Sequence, residues 1–184
     1  MSRLPCSLSA SSGGGRPALP ARTAAEALAR AASLDQASVQ VFLELAWDLE
    51  GLSAPPSLVR RAIQAAADEV RHAKAMTALA RGRGVVVSSE RPPPAKRQDL
   101  FAVALGNARD GCVRATWQAA CALAQSNAAA DVDVREAMVV VARDEVRHAR
   151  LALDIADWAG PLLTGEQRDR VWAEQARTLD GLED

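Results

Sequence analysis

One six-residue string, DEVRHA, occurs twice in this chain and constrains its fold more than any other feature. The first copy begins at Asp68 and the second at Asp144. Within each copy Glu and His are three residues apart, so an α-helix places both side chains on one face, roughly 5–6 Å apart at Cβ. The chain has only two histidines, and both lie in this string. Two such helices facing each other would bring two carboxylates and two imidazoles together.

The composition favours helices and a single domain. Hydrophobic residues make up 49% of the 184 residues, much of that alanine, and tyrosine is absent. A chain of this length can bury a core without disulfides. The odd number of cysteines, with no paired spacing, also argues against a disulfide framework. We therefore predict an all-α protein in a reducing, cytoplasmic compartment.

Charge and hydropathy argue against several classes of partner. Twenty-two Lys and Arg against 23 Asp and Glu leave a formal net charge of -1, which creates no global field for nucleic acid or an acidic membrane surface. No run approaches eighteen apolar residues, and the N-terminus lacks the apolar segment of a signal peptide. We expect no nucleic-acid partner and no membrane partner. The alanine-rich outer helix faces would permit a homodimer.

Glycine, proline and capping residues divide the chain into helices. Residues 1–22 are rich in Gly, Ser and Pro and are predicted to form a disordered tail. Helices are predicted at 23–49, 56–81, 99–125 and 131–158, and a fifth follows Thr164. Residues 82–98 are predicted to form a linker that crosses the bundle. The expected domains are thus the tail at 1–22, a bundle at 23–160, and a C-terminal helix at 161–184 packed on it.

The second and fourth helices carry their Glu and His on the apolar face. The positions at steps of three and four are Leu58, Ala62, Ala65, Glu69, His72, Met76 and Leu79 in the second helix, and Met138, Val141, Glu145, His148, Ala152 and Ile155 in the fourth. A Glu on such a face must find a charge partner or a metal. The alternative, in which the Glu and His pairs satisfy each other without metal, stays open.

Two Glu-x-x-His pairs on facing helices resemble the site of the ferritin-like di-metal proteins, where each of the other two helices adds one Glu. The stretches Asp35 to Val39 and Gly111 to Thr116, with both DEVRHA strings, are similar to a group of bacterial ferritin-like domain proteins. The resemblance covers about residues 34–158. It implies a ferritin-like up-down four-helix bundle with a crossover linker between helices 2 and 3 and a short fifth C-terminal helix.

The first helix offers Asp35 as a further ligand. In a hairpin that turns near residues 52–54, the residue level with Glu69 lies at 35–38, and Asp35 shares its face with apolar residues of the same helix. Glu44 and Asp48 are expected to point outward. The alternative is that Asp35 only caps a helix that starts at Ser33.

The third helix offers no carboxylate on its predicted inner face, which reads Phe101, Leu105, Ala108, Cys112, Ala115, Ala119 and Ala122. Ala115 lies opposite Glu145, where the similar proteins carry Glu. Asp110 is expected in solvent, unless an irregularity near Gly111 turns it inward. The centre is therefore expected to be partly degenerate.

The predicted metal ligands are Asp35, Glu69, His72, Glu145 and His148. The resemblance implies that Asp68 and Asp144 orient the histidines, and Arg71 and Arg147 would neutralise these aspartates. Carboxylate and imidazole donors favour iron, as one or two ions, with Mn or Zn as alternatives. The resemblance implies an O2-dependent oxidoreductase or ferroxidase; the alternative is a non-catalytic structural or binding bundle.

Overall fold

The computed structural model describes residues 24–88 and 96–182, and every regular element within these ranges is helical. The helices are α1 (Ala24–Gly51), α2 (Pro56–Arg81), α3 (Leu100–Gly106), α4 (Thr116–Ala128), α5 (Val132–Ala159) and α6 (Gly165–Asp180). A π-helical segment (Asn107–Ala115) joins α3 to α4, and a 3-10 turn (Gly160–Leu162) precedes α6. The predicted all-α class is confirmed. The predicted tail and residues 89–95 of the predicted linker lie outside the described residues.

Capping side chains explain where several helices start. Asp99 accepts a hydrogen bond from the backbone N–H of Ala102 at 2.8 Å, and Asp131 accepts one from Asp133 at 3.0 Å. Thr164 and Gln167 form a reciprocal capping box at the start of α6. Each contact satisfies backbone donors that the first helical turn leaves unpaired.

Two antiparallel hairpins, α1 with α2 and α4 with α5, enclose the core. At one end of the molecule a cluster joins Leu49, Leu58 and Ile155. At the other end a second cluster joins Leu28 and Met76 to Met138 and Ala122. The start of α2 therefore lies beside the end of α5, and these two helices run antiparallel.

A layer of buried polar side chains separates the two apolar clusters. Its members are Asp68, Glu69, His72, Asp144 and His148, which all come from α2 and α5. Buried alanines on both helices, among them Ala65 and Ala152, let the two backbones approach closely. The duplicated string thus forms the middle layer of the core.

The π segment lies within one continuous rod, α3–π–α4, which we call the third rod. Gly111 lies against α5, where an added Cβ would stand 2.7 Å from the Cβ of Ala152. Asn107 donates from Nδ2 to the carbonyl of the same alanine at 2.9 Å. The small size of Gly111 and the hydrogen bond of Asn107 thus both contribute to packing the π segment against α5.

The predicted inner face of the third rod is confirmed at Ala108, Cys112, Ala119 and Ala122, which are buried. It differs in α3, where Val103 and Ala104 are buried and Phe101 and Leu105, predicted to be inside, are only half-buried. A π turn takes more residues than an α turn, so α3 is rotated relative to a straight continuation of α4. The prediction assumed unbroken α-helical spacing.

The described ends of the linker contact α1 at two positions fifteen residues apart. Ser33 donates to the carbonyl of Ser88 at 2.8 Å, while the N–H of Gln98 donates to Asp48 Oδ1 at 3.0 Å. Asp48 is only 2% exposed, so the prediction that it points outward is wrong. The reason is that the described end of the linker, at Gln98, packs against this side of α1, which helical periodicity does not reveal.

Candidate metal centre

Four side chains from the two DEVRHA strings meet in the middle of the core. Glu69 and His72 on α2 and His148 on α5 are buried, and Glu145 on α5 is mostly buried. Both helices present the string at the same height because they run antiparallel and pack through small residues. The predicted placement of these four residues on the inner face is what brings them together.

The Nδ1 atom of each histidine faces both glutamates. His148 Nδ1 lies 3.3 Å from Glu69 Oε1 and 3.6 Å from Glu145 Oε2. His72 Nδ1 lies 3.8 Å from Glu69 Oε1 and 3.9 Å from Glu145 Oε1. The ligand atoms of Glu69, Glu145 and His148 all lie within 4.8 Å of one another, which is close enough to hold a metal ion.

Neither Nδ1 atom has a hydrogen-bond partner, although both are buried. A buried polar atom left without a partner costs roughly 1–3 kcal/mol, so native structures seldom keep two side by side. A metal ion between the carboxylates would use both lone pairs. The residues present therefore fit a bound cation.

The opposite ring nitrogens are held by aspartates in a crossed arrangement. His72 Nε2 lies 3.1 Å from Asp144 Oδ2, and His148 Nε2 lies 3.3 Å from Asp68 Oδ2. Both aspartates are fully buried, and each comes from the other copy of the string. With Nε2–H donating to a carboxylate, the Nδ1 lone pair is left for a metal. The pairing across copies is a feature that the sequence does not specify.

Two arginines complete the network by bridging both aspartates. Arg71 Nη2 contacts Asp68 and lies 3.3 Å from Asp144 Oδ2. Arg147 Nη2 lies 3.1 Å from Asp68 Oδ2 and 2.8 Å from Asp144 Oδ1. Burial would raise the pKa of Asp68, but hydrogen bonds from Gln64 and the arginines outweigh it and lower that pKa. Both aspartates therefore stay ionised beneath half-exposed guanidinium groups.

The electrostatics of the layer favour a bound cation. Burial would lower the pKa of His148, but the carboxylates of Glu145 and Glu69 outweigh it and raise the pKa to about 10. Burial, with the charges of Glu69 and Glu145, raises the pKa of Asp35 to about 8. Without a metal, protons thus compensate the crowded negative charge.

Asp35 lies close enough to interact with the cluster but is not part of its tightest group. It is half-buried on α1, and the charges of Glu69, His72 and Glu145 all act on it. The alternative that Asp35 caps a helix starting at Ser33 is wrong, because α1 runs unbroken from Ala24. Asp35 as a ligand stays a prediction.

Phe42 was not singled out by the sequence pattern as part of the site. Its ring packs against His148, with 4.9 Å between ring centroids. Phe42 follows Asp35 by seven residues, two helical turns along the same face of α1. That spacing was the only indication of its position.

The third rod brings no carboxylate into the described cluster. Ala115 is half-buried at the end of the π segment. Asp110 remains at the surface, where it pairs with Arg109 and Arg114 at 2.7 Å each. The irregularity near Gly111 therefore exists, but it does not turn Asp110 inward.

The fold and the site define an all-helical protein with a buried carboxylate–imidazole cluster. Comparison with protein-family models, with curated proteins and with solved structures finds no match for this chain. None of the helices in the described ranges combines the length and apolar character needed to cross a membrane. Any functional conclusion must rest on the geometry of the cluster.

Proposed function

We propose that the chain is a ferritin-like up-down four-helix bundle in which α1, α2, the third rod and α5 are the four members. The antiparallel course of α2 and α5 supports this topology. So do the linker contacts, since Ser88 meets α1 at Ser33 and Gln98 meets it at Asp48, fifteen residues further along. A linker that crosses the length of the bundle accounts for both contacts.

We further propose that the cluster binds iron, as one or two ions. The observation that carries the proposal is the pair of buried Nδ1 atoms without hydrogen-bond partners, each facing two carboxylates. Glu69, His72, Glu145 and His148 would hold the metal, and Asp35 would add a fifth donor. Oxygen and imidazole donors suit Fe(II), while Mn and Zn are alternatives.

The protein's own residues would tune such a centre in three ways. Asp68 and Asp144 hold the imidazoles in one tautomer, so both Nδ1 atoms remain available. Arg71 and Arg147 offset the charge of these aspartates from the outside. The apolar clusters above and below the layer limit the access of water. Bound iron would supply redox chemistry with O2, so the proposed activity is that of an oxidoreductase or ferroxidase.

The two halves of the proposed centre are not equivalent. Phe42 packs on His148, whereas Asp35 interacts with charges on both helices, those of Glu69 and His72 in α2 and of Glu145 in α5. The third rod has Ala115 where a further carboxylate would complete the set. Because less negative charge compensates a second cation, the second metal position should bind more weakly than the first.

Metal analysis of protein purified without chelators tests this proposal. We expect between one and two iron ions per chain after anaerobic Fe(II) loading, and oxygen consumption when air is admitted. Glu145→Ala should abolish binding, whereas Glu136→Ala, which removes an exposed acid from the same helix, should leave it intact. Absence of bound Fe, Mn and Zn in the unsubstituted protein would refute a metal centre.

A second candidate is a non-catalytic bundle that uses the cluster only as buried ion pairs. It is favoured by the raised pKa of His148, because a protonated imidazole beside Glu69 and Glu145 balances charge without metal. This candidate predicts a melting temperature that neither EDTA nor Fe(II) changes. A rise on adding Fe(II) in stoichiometric amount would exclude it.

A further inference from the structure

An apolar stripe runs along the outer side of α5, away from the metal centre. Val132, Val139, Val146 and Leu153 are seven residues apart and are 53%, 56%, 46% and 45% exposed. Seven residues make about two helical turns, so the four side chains lie nearly in line over about 31 Å. Such a spacing is typical of a helix face that packs against another helix.

This stripe is not a by-product of the duplicated string. The equivalent positions of α2, which carries the first DEVRHA copy, are Pro56, Ile63, Val70 and Thr77. Only the two central ones are aliphatic there. The stripe is thus continued over four positions in α5 alone, where nothing in the described structure covers it.

Charged residues beside the stripe are arranged to suit a second copy of the same helix. Glu136, Arg143 and Arg150 each follow a stripe residue by four positions, so they share one flank. In an antiparallel pair of α5 helices, Val139 lies opposite Val146 of the second copy. The same register brings Glu136 beside Arg150 of the second copy, and symmetry repeats this contact.

The two-fold axis of this pair passes near Arg143, which would lie close to its own counterpart. The Nε atom of Arg143 lies 3.5 Å from Oδ1 of the buried Asp144 in the same chain, which offsets part of the repulsion. Two Glu136–Arg150 contacts and four apolar side chains per copy favour the pair, and only the approach of the two Arg143 side chains opposes it. The charge pattern is self-complementary only in the antiparallel register.

We propose that the α5 stripe is the surface through which two copies of this chain associate as a symmetric, antiparallel dimer. A two-fold interface requires that one patch be complementary to itself. The stripe meets this condition in both the spacing of its apolar residues and the order of its charges. The inference does not depend on whether the cluster binds metal.

Mass measurement by light scattering over a range of protein concentrations tests the dimer. We expect a mass twice the 19.4 kDa of one chain, decreasing toward 19.4 kDa on dilution. Val139→Glu should raise the dissociation constant at least about tenfold, because it places an unpaired charge in the interface. Val41→Glu is the matched control, since Val41 on α1 is 57% exposed and lies outside the stripe.

A charge exchange tests the register. Glu136→Arg alone should weaken the dimer, and Glu136→Arg combined with Arg150→Glu should restore it. Circular dichroism should show that each variant keeps its helical content. A single-chain mass at every concentration, a dimer that Val139→Glu leaves unchanged, or an exchange that restores nothing would each overturn the proposal.

Discussion

Replacing Asp68 by Asn is the sharpest test of the polar layer, because it removes one charge and little volume. Asp68 is fully buried and accepts hydrogen bonds from Gln64 at 2.8 Å and Arg147 at 3.1 Å, and it also contacts Arg71 and His148. An amide keeps one acceptor oxygen, so part of this network survives. The lost part is the attraction of a buried carboxylate for two arginines and an imidazole.

The expected loss of stability follows from where the partners lie. Breaking a fully buried ion pair costs roughly 3–5 kcal/mol. Here the side chains of Arg71 and Arg147 are 51% and 47% exposed and can turn toward water, so we expect less, about 2–3 kcal/mol. For a chain of this size that corresponds to a melting temperature lower by roughly 4–12 °C.

Urea unfolding at neutral pH, with EDTA present, measures this loss without any contribution from metal. Asp154→Asn is the matched control, because Asp154 pairs with Arg61 at 2.5 Å and Arg150 at 3.3 Å at the surface. That change should cost at most about 1 kcal/mol. If Asp68→Asn costs no more than Asp154→Asn, the buried aspartates do not organise the layer as argued. If the proposed centre binds iron, Asp68→Asn should also lower the affinity for the metal by about 10–100-fold.

Three further changes probe the centre and its surroundings. The pKa of Asp35 is raised to about 8 in the folded, metal-free protein, so the contribution of this side chain to stability decreases as pH rises from about 4 to 8. Asp35→Asn should therefore stabilise the protein at pH 8.5 by at least about 1 kcal/mol more than at pH 5. Urea unfolding at the two pH values measures this difference. Equal effects at both pH values would contradict this assignment. Ala115→Glu should raise iron stoichiometry, and the exposed Ala120→Glu should not; unchanged iron content would show that Ala115 does not border the centre. Gly111→Ala should lower stability by about 1–3 kcal/mol through overpacking, whereas Gly106→Ala, with open space around it, should be neutral or stabilising in thermal melts.

The crossed aspartates show how a duplicated string acts as a unit. Asp68 contacts the Nε2 atom of His148, and Asp144 contacts that of His72, so neither copy of the string holds its own histidine. Loss of one aspartate should therefore affect the histidine on the other helix. This coupling is a consequence of the antiparallel approach of α2 and α5.

Predictions from the sequence were most accurate where local rules apply. The capping residues Asp99, Asp131 and Thr164 begin their helices as predicted, because capping is decided within a few residues. The inner faces of α2 and α5 were also correct, since their spacing is regular. The face of α3 was wrong, because the π segment changes the helical phase and only Gly111 and Asn107 hint at it.

Long-range contacts decided the remaining features. The burial of Asp48 depends on a linker fifty residues away, and the position of Phe42 against His148 depends on how α1 approaches α5. Neither contact leaves a periodic pattern in the sequence. Burial within the bundle, together with the charges of Glu69 and Glu145 on two other helices, likewise raises the pKa of Asp35.

The sequence by itself determined that this protein is helical and that its Glu-x-x-His pairs face the core, because helix propensity and periodicity are local properties. Only the tertiary structure decided that each histidine is held by the aspartate of the other copy, with both Nδ1 atoms facing two carboxylates and making no hydrogen bond. That arrangement depends on the height and direction at which two helices meet. Packing of small side chains sets both, and no single segment of the chain contains that information.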